Sequence, residues 1–190
     1  MAKINIDEEL IVKTSAILSN RVGLENLSLK MIADELNIKS PSLYNHINSL
    51  DEIKEKLMIY GWKQIEENVI DSAVGVSGYD ALRSMCYAFY DYGINNKGIF
   101  NAMLWYNKYE NDDTLNTTTR LFNLTFKIMR SLNISDVNIN HIIRTLRSFL
   151  EGFVLLVNND SFGNPVSIKD SFEISLDVIL NGMKVLVEVK

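Results

Sequence analysis

Residues 27–57 read LSLKMIADELNIKSPSLYNHINSLDEIKEKL, in which two short helical patterns flank a tight turn. Ser28 is a helix-start residue, and the apolar residues after it keep the i, i+3, i+4, i+7 spacing of one helical face: Leu29, Ile32, Ala33 and Leu36. Asn37, a residue type that tolerates a positive φ, marks the turn. Ser40 as N-cap, with Pro41 in the first helical position, opens the second helix. This order predicts a helix-turn-helix.

A helix-turn-helix must lock its two helices together and still present polar side chains to a major groove. The predicted buried face is Ile32, Ala33, Leu36, Ile38, Leu43 and Ile47. The side chains predicted to point outward are Lys39, Ser40, Pro41, Ser42, Tyr44, Asn45 and His46. By periodicity alone, an ordinary helical hairpin with a polar outer face fits the same pattern.

The composition predicts a packed protein of one domain, or of a small headpiece joined to a larger helical body. Hydrophobic residues make up 47% of the 190 residues, with only 2 prolines and 9 glycines, which argues against a disordered chain. Cys86 is the only cysteine, so no internal disulfide forms and a reducing compartment is natural. Because no secretion-signal pattern and no run near the ~20 apolar residues of a membrane span occurs, we expect a cytoplasmic protein.

The charge does not by itself favour nucleic-acid binding. The formal net charge is −5, and residues 1–60 carry 7 Lys or Arg against 9 Asp or Glu. Non-specific affinity for DNA should therefore be modest. A DNA-binding role has to rest on the placed motif.

The remainder of the chain has helical periodicity and no convincing strand pattern. Asp7 and Gly23 mark the start and end of a first helix. Ser49 caps a long fourth helix, whose apolar stripe is Ile53, Leu57, Gly61, Ile65 and Val69. Residues 74–78, VGVSG, are the best candidate linker. We predict an all-α protein of about nine helices.

The two C-terminal helices carry more apolar surface than one neighbour needs. The helix predicted over 139–157 has two apolar rows, and a heptad seam follows at Phe172, Leu176, Ile179, Met183 and Leu186. Because such faces would stay partly exposed in a monomer, we predict a two-fold dimer with a four-helix interface. Its predicted contact residues are Leu150, Val154, Leu176, Ile179, Met183 and Leu186.

The segment from Leu29 to Leu57 resembles the DNA-binding headpiece of the TetR family of transcriptional regulators. That family combines an alanine in the scaffold helix, a glycine or asparagine turn, a recognition helix ending in Leu-Tyr-x-His-Phe, and an acidic residue opening helix 4. The matching residues here are Ala33, Asn37, Leu43, Tyr44, His46, Ile47, Asp51 and Glu52. Residues 146–153 and 171–173 resemble one recurrent TetR-type C-terminal core more weakly.

The resemblance implies a DNA-binding domain at residues 1–50 and an effector-binding and dimerisation domain at residues 51–190, with helix 4 as the connector. It implies a repressor that a small-molecule effector releases from a palindromic operator. The expected partners are double-stranded DNA, a second copy of the chain and the effector, with no membrane.

Tyr44 is expected to reach the DNA backbone, although a packing role is the alternative. The full set expected to bind DNA is Lys30, Lys39, Ser40, Pro41, Ser42, Tyr44, Asn45 and His46.

Three positions depart from the family pattern. Leu50 stands where the family usually has a lysine that contacts a phosphate, and Lys54 or Lys56 would replace that anchor only in part. Ile47 replaces the family phenylalanine and preserves packing. Glu151 stands where relatives often carry a histidine, so a ligand rule based on that histidine does not transfer.

Aromatic residues and methionines on the middle helices are candidates for an apolar effector pocket, although each also suits an ordinary core. The candidates are Trp62, Met85, Phe89, Tyr90, Met103, Trp105, Phe122, Phe126, Met129, Phe149 and Glu151. Glu151 lies one turn after Arg147, so an i, i+4 ion pair competes with a role as a pocket carboxylate for a cationic or hydroxylated ligand.

No enzyme motif is visible in the sequence, and Cys86 lies in an apolar stripe that suits an inert thiol. His46 and His141 lie on distant helices, so we expect no zinc site and no cofactor. Two hypotheses remain. One is a ligand-responsive DNA-binding repressor, and the other is a dimeric helical small-molecule-binding protein with weak or lost DNA affinity.

Overall fold

The computed structural model describes residues 6–105, 108–109 and 112–187. The helices in this part of the chain are α1 Glu8–Val22, α2 Leu29–Glu35, α3 Ser40–Leu43, α4 Leu50–Ser72, α5 Gly78–Asn95, α6 Lys97–Met103, α7 Asp112–Ser131, α8 Asp136–Asn158 and α9 Ile168–Met183. A 3₁₀ turn at Lys184–Leu186 follows α9. The prediction of an all-α protein is confirmed. None of the described helices is long and apolar enough to cross a bilayer.

The predicted helix boundaries follow from local capping. Three predicted N-cap side chains accept a hydrogen bond from the backbone N–H three residues further on: Asp7, Ser28 and Ser49. Gly23 ends α1 with a φ of 88°, a conformation that favours glycine. The N-cap prediction for Ser40 is wrong by one residue. The carbonyl of Lys39 accepts the N–H of Ser42 at 2.8 Å, so Lys39 occupies the cap position.

The chain forms two compact units. The first consists of Met1–Gln64 and Asn96–Thr117, and the second consists of Ile65–Asn95 and Thr118–Lys190. Helix α6 therefore belongs with the helix-turn-helix in the first unit. The functional division at residues 1–50 and 51–190 stays a prediction, because compactness does not test which residues bind DNA or a ligand.

Within the first unit, α6 packs against both α1 and α4. Asn20 on α1 caps the start of α6, since its Oδ1 accepts the N–H groups of Gly98 at 3.0 Å and Ile99 at 3.2 Å. Trp62 on α4 donates its Nε1–H to the carbonyl of Met103 at the end of α6, at 3.2 Å. Both ends of α6 are therefore held by side chains of neighbouring helices.

Within the second unit, the core of α5, α8 and α9 is centred on Phe172, which is fully buried. Tyr90 stacks on its ring with centroids 4.1 Å apart, and Phe149 stacks at 5.5 Å. Phe153 meets it edge-on at 5.4 Å. Aromatic pairs in these geometries contribute beyond the area that they bury, so this cluster fixes α9 on α5 and α8.

Candidate nucleic-acid interface

The turn of the helix-turn-helix is built on Asn37, which has a φ of 53°. Its N–H donates to the carbonyl of Asp34 at 3.1 Å, and the N–H of Ile38 donates to the carbonyl of Ala33 at 2.9 Å. This pair of bonds is a Schellman motif, which satisfies the last carbonyls of α2 and redirects the chain. The predicted positive φ at the turn is confirmed.

A small apolar face locks the two helices together. The residues that are at most 1% exposed are Ile32, Ala33, Leu43 and Ile47. Leu36 and Ile38 were also predicted to be buried and are only half-buried. They lie on either side of Asn37, at the turn, where the chain no longer follows the buried face of α2.

Residues 39–46, which we call the recognition segment, follow this turn. Helix α3 covers only Ser40–Leu43, and backbone bonds from Asn45 to Ser42 and from His46 to Leu43 continue the coil. Six of its outward residues are exposed and Ser40 is half-buried; the exposed six are Lys39, Pro41, Ser42, Tyr44, Asn45 and His46. Tyr44 keeps 57% of its surface exposed. Its packing role is therefore small, and its ring and hydroxyl are available for contact.

One exposed lysine begins the recognition segment, and another precedes the segment on α2. Lys30 lies on α2 and Lys39 lies at the cap of α3, and neither makes an ion pair within the described residues. Phosphate contacts are made by such side chains, and each one adds affinity that falls with salt. The structure therefore leaves these two predicted DNA contacts accessible.

The lysines that follow Leu50 are engaged elsewhere. Leu50 itself is half-buried at the start of α4. Lys56 contacts the carboxylate of Glu8 at 2.9 Å, and Lys54 lies over the ring of Trp105 with its Nζ 5.3 Å from the centroid. A phosphate contact by either lysine would have to replace these interactions.

Glu52 joins the recognition segment to α4. Its Oε2 accepts the backbone N–H of Asn48 at 2.7 Å and the side-chain Nδ2–H of Asn48 at 2.9 Å, while its own N–H donates to Ser49 Oγ at 3.0 Å. This resembles a capping box, with the return bond made one residue before the cap. The bond from the Asn48 backbone lowers the pKa of the Glu52 carboxyl from its usual 4.5.

A second contact ties the chain after α6 to the first turn of α4. Asp51 Oδ1 accepts hydrogen bonds from Lys108 Nζ at 2.7 Å and from the Tyr109 hydroxyl at 3.0 Å. The bond from Lys108 lowers the pKa of the Asp51 carboxyl. The start of α4, directly after the recognition segment, is thus anchored from two sides.

A family profile described as "Tetracyclin repressor-like, C-terminal domain" matches residues 82–179, slightly more than half of the chain. The chain belongs to the TetR family. As a TetR-family protein it is a DNA-binding transcriptional regulator, and the exposed recognition segment is the part of the fold that suits this role.

One curated relative and two solved structures match this TetR-family protein over nearly its whole length. The uncharacterized HTH-type transcriptional regulator YobS of Bacillus subtilis (strain 168) is 29% identical over 182 residues, which are 95% of this chain and 94% of that protein. The solved structure of a TetR from Acinetobacter baumannii AYE in complex with minocycline is 15% identical, with a TM-score of 0.76 over 97% of this chain and 100% of that one. A TetR from Streptomyces coelicolor has a TM-score of 0.75 at 14% identity, with the same coverages. At these identities the two structures show the shared fold.

The residues predicted to line an effector pocket in this TetR-family protein do not all lie in one unit. Three of them belong to the unit that carries the recognition segment: Trp62, Met103 and Trp105. The other eight belong to the second unit: Met85, Phe89, Tyr90, Phe122, Phe126, Met129, Phe149 and Glu151. Tyr90 and Phe149 are packed on Phe172 in the aromatic core. The pocket stays a prediction.

Glu151 forms the ion pair that its spacing indicated. Its Oε1 accepts the Nε–H of Arg147 at 2.7 Å, one turn earlier on α8. The carboxylate is therefore already satisfied by its own helix.

The residues predicted to form the dimer contact need a correction. Four of them are buried inside the subunit: Leu150, Val154, Leu176 and Met183. Ile179 is half-buried, and Leu186 is 38% exposed. Three of the five residues of the predicted seam, Phe172, Leu176 and Met183, are buried within the subunit. An exposed apolar row remains, formed by Ile174 and Val178 on α9 and by Val185 in the 3₁₀ turn that follows it.

Several structurally important residues had no distinguishing signal in the sequence. Asn20 and Gly98 act across a separation of 78 residues, which periodicity does not detect. Glu66 is buried on α4, although a glutamate next to an apolar stripe is normally solvated. The single hint for Glu66 was its position directly after Ile65, a member of that stripe.

Proposed function

We propose that this protein is a homodimeric repressor that binds a roughly palindromic operator and is released by a small-molecule effector. The observation that carries the proposal is the recognition segment, whose exposed polar residues follow a well-formed turn on a buried apolar face. Effector release is general behaviour of TetR-family regulators. The proposed role is the binding of DNA and of an effector, without catalysis. The proposed location is the cytoplasm, together with the DNA.

The recognition segment supports two kinds of DNA contact. Lys30, Lys39 and Tyr44 suit the phosphate backbone, because they are exposed and carry cationic or hydroxyl groups. Ser42 and Asn45 suit base edges, because their short polar side chains point outward from the same segment. His46 is assigned to a phosphate or to a hydrogen bond at the end of the segment.

The exposed apolar row of α9 and the 3₁₀ turn after it, Ile174, Val178 and Val185, supports self-association. Leu156 on α8, which is 44% exposed, adds to the apolar surface. A two-fold dimer covers the same face on both subunits. Two recognition segments related in this way would meet successive major grooves, about 34 Å apart.

Helix α4 supports a route from effector to DNA. It begins four residues after the recognition segment, and its last turns belong to the second unit. An effector that shifts α4 would change the separation of the two recognition segments in the dimer. The coupling free energy equals the difference between the effector's binding free energies for the released state and for the DNA-bound state. It is typically ~1–3 kcal/mol, which is ~5–150-fold in DNA affinity.

A second candidate is a dimeric small-molecule-binding protein that has lost most of its DNA affinity. Leu50 in place of a phosphate-binding lysine favours it, as do the engaged side chains of Lys54 and Lys56. The net charge of −5 also favours the second candidate, because it lowers the non-specific affinity for DNA.

A binding-site selection with the full-length protein and random duplex DNA separates the two candidates. The repressor requires a symmetric motif, with affinity that falls steeply as salt rises. Recovery of no symmetric motif, while the protein is folded and dimeric, would establish the second candidate instead. Once an effector is found, the fluorescence of Trp62 and Trp105 and the DNA affinity should change together.

A further inference from the structure

Glu66 on α4 is the one carboxylate that is buried among the described residues, with 4% of its surface exposed. It lies in the second unit. Removing a carboxylate from water costs several kcal/mol unless it is both paired and hydrogen-bonded. A charged Glu66 therefore needs a compensating partner in its surroundings.

The compensation that the subunit itself provides is incomplete. The Nε of Arg120 on α7 lies 3.0 Å from Glu66 Oε1. That N–H is not directed at the oxygen, and Oε1 accepts no hydrogen bond within the described residues. The Arg120 side chain is 73% exposed, so most of the guanidinium surface remains in water. A solvent-facing cation thus partly covers a buried anion.

The helix that supplies Arg120 also has an incompletely covered apolar face. Among its large apolar residues, Met129 is fully buried and Phe122 is 38% exposed. The ones that are half-buried are Leu121, Leu124, Phe126 and Ile128. The rings of Phe122 and Phe126 lie 5.7 Å apart. Helix α7 therefore offers exposed apolar surface. This surface lies on the same helix as Arg120, whose ion-pair partner Glu66 has an oxygen, Oε1, that accepts no hydrogen bond within the described residues.

We infer that Glu66 recognises the charge of the effector, and that the effector is a hydrophobic cation, with an ammonium, phosphonium or amidinium group on an apolar body. The cationic group takes the place of the Arg120 guanidinium at Glu66, and the apolar body packs against α7. The inference rests on the proposed effector-responsive function. Because the Arg120 side chain is already 73% exposed, its guanidinium can return to water, and the effector's cation keeps the buried carboxylate paired.

Glu151 is the natural comparison. Its carboxylate is also largely covered, with 20% of the side chain exposed, but it accepts an aligned bond from Arg147 on the same helix. It therefore lacks the unsatisfied oxygen that distinguishes Glu66.

The test uses ions of matched shape and opposite charge. Tetraphenylphosphonium and tetraphenylborate are titrated calorimetrically into the full-length protein, and benzyltrimethylammonium and its neutral carbon isostere serve as a smaller pair. We expect the wild type to prefer the cation in at least one pair by about tenfold or more. Glu66→Gln should abolish that preference. Arg120→Gln should strengthen cation binding, and Asp71→Asn, which removes an exposed carboxylate of the same helix α4, should leave it unchanged.

The opposite effects of the Glu66 and Arg120 substitutions separate recognition from simple structural support. A structural ion pair would make both variants less stable and would make neither change the charge preference. Absence of a cation preference in both pairs, or its survival in Glu66→Gln, overturns the inference. If Glu66→Gln does not fold, unchanged or weaker cation binding in Arg120→Gln overturns it as well. DNA binding of the wild type is measured separately, so failure of the operator selection contradicts the proposed function alone.

Discussion

Gly98 on α6 lies directly against the backbone of Ser19 on α1. A Cβ built on Gly98 would stand 2.0 Å from the Ser19 carbonyl oxygen and 2.2 Å from its carbonyl carbon. The obstacle is backbone, which cannot swing aside as a side chain does. Only glycine allows α6 to approach α1 this closely, and α1 lies in the same compact unit as the helix-turn-helix.

Gly98→Ala should therefore destabilise the protein by about 1–3 kcal/mol through overpacking. Urea unfolding followed by circular dichroism measures the change. Gly163→Ala is the matched control, because nothing lies within 4 Å of its Cβ position, and it should change the free energy of unfolding by no more than about 0.5 kcal/mol. Equal effects of the two substitutions would show that the contact with Ser19 is not tight in solution.

The carboxyl of Glu52 should make stability depend on pH. Its folded pKa is lowered from 4.5 by the bond from Asn48, so the unfolded chain takes up the proton first as pH falls. This stabilisation is complete above the unfolded pKa and is lost as pH decreases through the folded pKa. Unfolding free energies measured between pH ~6 and ~3 should therefore depend less on pH in Glu52→Gln than in the wild type. Asp34→Asn, which changes an exposed carboxylate of α2, should keep the slope of the wild type; a wild-type slope in Glu52→Gln would refute the assignment.

The dimer should depend on the exposed row of α9 rather than on its buried seam. Val178, which is 67% exposed, can become Asp without disturbing the subunit core, so Val178→Asp should yield a folded monomer in sedimentation at micromolar concentration. Leu176 is fully buried, and Leu176→Ala should cost about 2–5 kcal/mol of stability with the dimer retained when folded. A Val178→Asp protein that remains dimeric would exclude this face as the interface.

Lys39 should contribute one phosphate contact. Lys39→Ala should weaken binding to all sequences and reduce the slope of log affinity against log salt by about 1. Lys63→Ala removes another exposed lysine, from α4, and should leave the slope unchanged. Identical slopes in the two variants would mean that Lys39 does not touch the backbone.

Tyr44 and Asn45 should have separable effects on DNA binding. Tyr44→Ala should lower affinity for every sequence, because it removes a backbone contact, whereas Asn45→Ala should change the preferred base at one position of each half-site by about 1–3 kcal/mol. Competition gel shifts with single-base operator variants distinguish the two patterns. A uniform loss in both variants would remove Asn45 from base recognition.

The helices and the recognition segment could be predicted from the chain alone, because the signals involved are local. The capping side chains of Asp7, Ser28 and Ser49 act on backbone groups three residues away, and the positive φ of Asn37 depends on its own backbone and its immediate neighbours. The helix-turn-helix could be predicted for the same reason. Its buried and exposed residues alternate with a helical period that the chain displays directly.

Which apolar faces and which polar groups are buried inside the subunit could be learned only from the packing of the helices. Leu176 and Val178 lie two residues apart on α9, yet the first is fully buried and the second is exposed. Periodicity identifies an apolar face without showing which helix covers it. The burial of Glu66 and the approach of Gly98 to Ser19 depend on side chains and backbone that are distant in sequence, since packing brings together residues that no local pattern connects.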